Sequence, residues 1–237
     1  VAIVEQHGAQ LGSSLWHSAL PLCDWLYSSD SRVWGHRSRR ILELGAGCGT
    51  CGIAAALAAR SSAAGHAVVL TDKPEVCEHL RRNVAANAAA IQAAGSSVHV
   101  APLLWRRTIS AQQDEAWTEW EELKQHGPFD LIIACECVYE LPLLAALIDT
   151  IAHGAAEYAR LADADRAASA PAPGPDYCLI ILGFCRRGGP LCPPEAVEEM
   201  LLARFEHVSP PTMLNRESGK RPSAGGADLA HGRDSSS

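Results

Sequence analysis

Apolar residues are distributed along the chain in two alternating rhythms. Short, nearly unbroken apolar runs at residues 41–44, 67–71, 98–101, 129–135 and 177–184 read as strands, the run at 129–135 as one buried on both faces. Between them lie longer stretches with apolar positions three and four apart. Residues 74–94 place Val76, Leu80, Val84 and Ile91 on one face, with Gly95 as the stop. Residues 53–59, 141–161 and 194–205 also read as helices. Ahead of the first strand, Trp16, Ala19, Leu20, Cys23 and Leu26 recur at helical spacing over residues 15–27. Ser13 or Ser14 is the expected N-cap, and Pro21 either kinks that helix or limits its start. Strands alternating with helices imply an α/β domain with a doubly wound, mostly parallel sheet and helices on both faces.

The remaining segments are expected as follows. Residues 1–4 end a strand, and residues 112–125, with Trp117, Trp120 and Leu123 among glutamates, form an amphipathic insert. Residues 162–175 carry Pro171, Pro173 and Pro175 and read as a loose surface loop. Residues 207–208 are a short sixth strand. One domain is expected over residues 1–215, with residues 216–237, rich in Gly, Ser, Asp and Arg, as a disordered tail.

At 237 residues and 48% hydrophobic, the chain can bury one full α/β core. A net charge of −7 argues against a general nucleic-acid surface, which would show a basic field. No apolar run reaches the roughly 18 residues of a membrane span. The first residue is Val1 and no signal peptide is visible, so the N-terminus is expected to be incomplete. The nine cysteines are odd in number and follow no spaced framework, which fits unpaired thiols in a reducing compartment. Cys48 and Cys51 have the spacing of half a zinc site or of a redox pair, but no matching second pair follows; small residues in a glycine loop are the favoured reading, and no metal is expected.

The candidate chemistry centres on Glu43-Leu44-Gly45-Ala46-Gly47-Cys48-Gly49-Thr50-Cys51-Gly52, which reads as strand, tight loop, helix. Glycines let such a loop take positive φ and bring its backbone against a ligand, while the helix start offers unpaired N–H groups. Two frames fit. Gly47 to Gly52 satisfies the dinucleotide pattern G-x-G-x-x-G, and Glu43 to Gly49 reads as an acidic residue followed by G-x-G-x-G. In the dinucleotide frame the strand should run straight into the first glycine, yet Gly45-Ala46 intervenes. A carboxylate at Glu43 would repel a pyrophosphate and attract the ammonium of a methionine moiety, directly or through water. S-adenosylmethionine (AdoMet) is therefore favoured over NAD.

Further candidates stand at the ends of later strands. Asp72, about twenty residues past the loop, can accept both hydroxyls of a ribose, or can cap the helix beginning Lys73-Pro74-Glu75. Trp105 after the third strand can stack on an adenine or pack in the core. Trp16 reads as a core aromatic or as a pocket residue beside the glycine-flanked turn. Glu136-Cys137-Val138-Tyr139 emerges from the fourth strand, where loops carry sites in such sheets; the bland alternatives are a helix-cap carboxylate and a core ring.

Taken in order, these motifs resemble one family. Leu11-Gly12 with Leu15-Trp16-His17-Ser18-Ala19, the glycine loop, Asp72, Leu104-Trp105 and residues 129–139 resemble the seven-β-strand, class I protein-lysine methyltransferases of the methyltransferase-like-21 or family-16 group. The resemblance implies a Rossmann-like class I methyltransferase fold and AdoMet as cofactor. It implies that Trp16, Glu43, Gly45, Gly47, Asp72, Trp105 and Ala134 line the cofactor site. It further implies that Glu136 and Tyr139 are the catalytic pair, acting by positioning a protein lysine. A monomer in the cytoplasm or nucleus is expected, with a protein as partner and neither nucleic acid nor membrane. The chain departs from the family at Glu136, where aspartate is more usual, and after Pro210, where the final hairpin has no good counterpart. C-terminal strands are thus expected to be missing and a sheet edge to stand open.

Four rival readings are distinguishable. A nucleic-acid amino-methyltransferase would carry an Asn/Asp-Pro-Pro-Tyr/Phe motif after the fourth strand, which is absent. A small-molecule methyltransferase shares the cofactor half and differs at the substrate side. An oxidoreductase would use the NAD frame, and a non-catalytic binding protein would follow if missing strands unseat the sheet.

Overall fold

The computed structural model describes residues 1–5, 12, 14–16, 18–28, 34, 38–59, 65–107, 117–168, 178–184 and 193–205. Five strands form one sheet: β1 (Arg40–Leu44), β2 (Ala67–Asp72), β3 (Ser97–Pro102), β4 (Leu131–Cys135) and β5 (Leu179–Gly183). Their order is β3-β2-β1-β4-β5, and every pairing is parallel. The chain moves outward from β1 to β3, then crosses back to place β4 on the other side of β1. This reversal leaves a crevice at the carboxyl ends of β1 and β4, where open α/β sheets bind ligands.

Among the described residues seven α-helices accompany the sheet: α1 (Ala19–Ser28), α2 (Thr50–Leu57), α3 (Pro74–Ala86), α4 (Ala88–Ala93), α5 (Thr118–Leu123), α6 (Leu141–Ala168) and α7 (Pro194–Leu202). Strand alternation divides the core into two layers. Ile41, Leu70, Leu131 and Ile133 pack with Leu22 and Leu26 of α1, Ile53 of α2 and Leu80 of α3. Leu42, Leu44, Val69, Ile132 and Ala134 pack with Trp120 of α5 and Leu147 and Ile151 of α6. β5 is half-buried along its length and forms one edge of the sheet among the described residues. Among those residues no helix is long and apolar enough to cross a membrane.

Four local expectations are corrected. α1 starts at Ala19 instead of residue 15, so Pro21 falls in its first turn, where a missing N–H costs nothing; Ser14 precedes the helix and Ser13 lies outside the described residues. Residues 1–4 are not a strand end. They form an extended strap in which Asn83 and Asn87 each use their amide on the main chain, Asn87 Oδ1 accepting from Ala2 N and Nδ2 donating to Ala2 O, and Asn83 doing the same at Val4. The same asparagine divides the helix expected over residues 74–94, because Asn87 at φ −107° leaves helical geometry between α3 and α4. Finally, α6 runs on to Ala168. Alanines and charged residues sustain a helix there, and the prolines begin only at Pro171. The rest of the expected loop, the short strand at 207–208 and the tail from 216 lie outside the described residues.

Candidate active site

The glycine loop closes β1 onto α2. Gly45, Gly47 and Gly49 have φ of 66°, 55° and 80°, a region costly for any side chain. Space is also short. A Cβ on Gly45 would lie 2.6 Å from Cys137 Sγ and 2.8 Å from Trp105 Cζ2, and one on Gly49 would lie 2.6 Å from Leu80 Cδ1. Gly47 passes beneath Gly12, whose carbonyl would stand 3.1 Å from an added Cβ.

Asp72 fixes this loop from the neighbouring strand. Its Oδ2 accepts the Gly47 N–H at 2.8 Å and its Oδ1 accepts the Lys73 N–H at 2.7 Å. Burial pushes its carboxyl above the usual range, and the two N–H donors and the Lys73 charge pull against that. The N-cap position of α3 belongs to Lys73, without a side-chain cap. Asp72 therefore binds the turn before the helix instead of capping it.

Glu43 is placed differently from the sequence expectation. It shares the face of Ile41, and its carboxylate is turned under the loop, where Oε2 accepts the Gly52 N–H at 2.8 Å. Only 2% of the residue is exposed, and burial holds its carboxyl well above the ordinary value. There it satisfies an N–H of the first turn of α2 from beneath the loop. Thr71 completes the joint, donating its hydroxyl to the Glu43 carbonyl at 2.7 Å.

Ala134 lies on β4. It pairs with Leu44 and sits at 1% exposure in the layer beneath α6, so its side chain supports the sheet instead of lining the crevice. Strand parity explains this: Ala134 shares the face of Ile132, whereas Cys135 faces the α1–α2 layer.

The other candidates gather at the strand ends. Trp105 is half-buried with its indole against Gly45, so it packs on the core and borders the loop at once. Trp16 is 37% exposed and its carbonyl accepts the Ala19 N–H at the start of α1. Glu136 follows β4 at φ 57°, the only non-glycine among the described residues with positive φ, and its N–H is bound by the Gly183 carbonyl at 2.8 Å. Its carboxylate accepts the Ser18 hydroxyl, which ties the segment before α1 to the end of β4. Tyr139 is 37% exposed, and its hydroxyl is pushed above the usual tyrosine value by burial and by anionic neighbours. Cys137 lies between these groups and the loop, fully buried, with Sγ 3.3 Å from the Leu44 carbonyl. Gly12, Ser18, Thr71 and Cys137 had no role assigned from sequence. Gly12 and Ser18 belong to the N-terminal motif, but their contacts cross long sequence separations that local pattern does not encode.

A separate hollow of about 420 Å³ lies between α4 and the start of β3, lined by Val84, Ala88, Ile91, Gln92 and Gly95 to Val98. It is at the amino ends of the strands, away from these residues. Among the described residues no cluster of His, Cys, Asp and Glu could hold a metal ion.

The model of a lysine methyltransferase family matches residues 1–160. The chain is 30% identical over 158 residues to the mouse protein EEF1A lysine methyltransferase 3, covering 65% of this chain and 56% of that one. It is 36% identical over 132 residues to protein-lysine N-methyltransferase rrg1 of Schizosaccharomyces pombe, covering 55% of this chain and 38% of the relative. It is 31% identical over 139 residues to protein N-lysine methyltransferase METTL21A of Danio rerio, covering 59% and 53%. The matched part is thus about half or less of each relative's length. The family match takes in well over half of the chain and contains the whole loop, Asp72 and the end of β4, and on that ground the chain belongs to the lysine methyltransferase family 16.

Proposed function

We propose that this protein transfers a methyl group from AdoMet to a lysine side chain of a protein substrate. The observation that carries the reading is the joint between Asp72 and Gly47, which sets a positive-φ glycine loop beside a strand-end carboxylate at the sheet's crevice. The residues suit the cofactor because added Cβ atoms would crowd the Gly45 backbone, and Asp72 sets a buried carboxylate at the strand end beside the loop. Asp72 would take the ribose hydroxyls, the Gly45 and Gly47 backbone the methionine part, and Trp105 and Trp16 the flanks. Glu43 and Ala134 act from below, through α2 and the sheet. When bound, AdoMet supplies an electrophilic methyl on a sulfonium.

The residues of the chain then have to prepare the amine. A lysine ammonium, with a pKa of about 10.4 in water, must lose a proton before it can attack. Glu136 draws the cation toward the crevice, and Ser18 holds that carboxylate in place. Tyr139 remains protonated at neutral pH and orients the amine by its ring edge and hydroxyl. A dry channel favours the neutral amine, and alignment for in-line displacement supplies most of the rate. The free cysteines fit a reducing, cytoplasmic setting.

The test is labelling of a cell lysate with radioactive AdoMet, followed by mass spectrometry of the modified residue. Methyl-lysine in a protein band, lost with Glu136→Ala, is expected. Label in a metabolite with no protein band would favour a small-molecule substrate and remove the proposal.

A further inference from the structure

Cys23 on α1 and Cys51 on α2 face each other across the two helices, with Sγ atoms 3.9 Å apart. Each thiol also reaches the main chain of the opposite helix. Cys23 Sγ lies 3.5 Å from the Thr50 carbonyl and Cys51 Sγ lies 3.9 Å from the Ala19 carbonyl. The two helices therefore meet at this point, and a disulfide requires the sulfurs to close from 3.9 Å to roughly 2.05 Å. The pair is also asymmetric: Cys23 is half-buried, whereas Cys51 is 2% exposed.

We propose that Cys23 and Cys51 form an oxidative modification site, at which a peroxide converts the two thiols into a disulfide linking α1 to α2. The half-exposed Cys23 reacts first. Its thiolate attacks one peroxide oxygen, the O–O bond breaks, and the departing hydroxide takes up the thiol's proton as water, leaving a sulfenic acid on Cys23. Cys51 sulfur then attacks the Cys23 sulfur. The S–O bond breaks, and the sulfenic oxygen leaves as a second water with the Cys51 proton. One peroxide is consumed, two waters are released and both sulfurs are oxidised. The neighbouring thiols of Cys135 and Cys23, together with burial, push the Cys51 thiol well up, so Cys23 is the thiol that meets the peroxide first.

The link joins two parts of the candidate site. α2 starts from the glycine loop, and α1 follows the segment whose Ser18 holds Glu136. The site itself is independent of the methyl-transfer reading.

The experiment treats the reduced full chain with hydrogen peroxide, alkylates the remaining thiols and maps peptides under non-reducing conditions. A peptide joining Cys23 to Cys51, lighter by two hydrogens and released by dithiothreitol, is expected. Cys23→Ser should lose that peptide, and Cys51→Ala should leave Cys23 as a sulfenic acid that dimedone traps. If Cys51→Ala does not fold, the native map and Cys23→Ser still decide. A map that joins Cys51 to Cys135, or recovers Cys23 fully alkylated after peroxide, overturns the proposal.

Discussion

Asp72 Oδ2 accepts the Gly47 N–H at 2.8 Å while its Oδ1 accepts the Lys73 N–H at 2.7 Å, so one carboxylate holds both the glycine loop and the turn into α3. Asp72→Asn leaves a single acceptor oxygen and turns an NH2 toward the other donor. A hydrogen bond to a charged group contributes about 1.5–3 kcal/mol, and about 1.4 kcal/mol is tenfold in affinity. AdoMet affinity measured by calorimetry is expected to fall by more than about tenfold by that arithmetic. An unchanged affinity would remove Asp72 from the site.

Gly45→Ala meets both a positive φ and a crowded space. The backbone strain alone costs about 1–3 kcal/mol, and the methyl would press on Cys137 Sγ and Trp105. The urea midpoint should drop and AdoMet binding should be lost. A variant that melts like the parent and still binds would show that the loop relaxes freely.

Glu136 allows the backbone and the carboxylate to be separated. Glu136→Gly relieves a left-handed residue, whereas Glu136→Ala keeps that strain. Both lack the carboxylate. Glu136→Gly is expected to be the more stable of the two in a thermal melt, and both should bind AdoMet while failing to label protein. Labelling by Glu136→Gly would assign the residue a purely structural role.

Glu43 and Asp72 both have carboxyls raised by burial, so the folded chain holds protons that the unfolded chain releases. Their contribution to stability is present below the ordinary carboxylate pKa and is lost as pH rises through the raised values. Glu43→Gln keeps an oxygen for the Gly52 N–H without a buried charge. Its melting temperature should exceed the parent's at mildly alkaline pH, with the gap narrowing in acid. A gap that widens in acid would contradict the sign.

His66 has the opposite sign. It is buried against Trp34, accepts the Arg39 N–H through Nδ1, and is held down to about 4 by burial and by the Arg39 charge. Between the ordinary histidine value of about 6.5 and about 4, the unfolded chain binds the extra proton and stability falls as pH falls. In a proton NMR titration the His66 ring should remain neutral near pH 6, when an exposed histidine is already about half or more charged. Titration with the exposed rings would place His66 in contact with water.

The sheet and its site were legible to different depths. Continuous apolar runs located all five described strands, and the glycines marked the turn between β1 and α2, because both depend on residues close in sequence. The direction of Glu43 was harder. A strand buried on both faces offers no polar side to mark its parity, so a carboxylate at its end reads as ligand-facing until the partner at Gly52 is seen. The side to which Ala134 points was hidden for the same reason. Asn87 divides a helix whose sequence looks continuous, because its partner Ala2 lies 85 residues away. The tie between Ser18 and Glu136 spans 118 residues and left no local trace.

The strap at residues 2–4 has its own implication. Asn83 and Asn87 address amide and carbonyl groups only, so they are blind to which side chains the strap carries. Ala2 and Val4 should therefore tolerate broad replacement, and only proline, lacking the N–H, should detach one rung. Drift at Ala2 and Val4 can be wide at little cost to folding, provided both asparagines stay and Ile3 keeps its packing against the core.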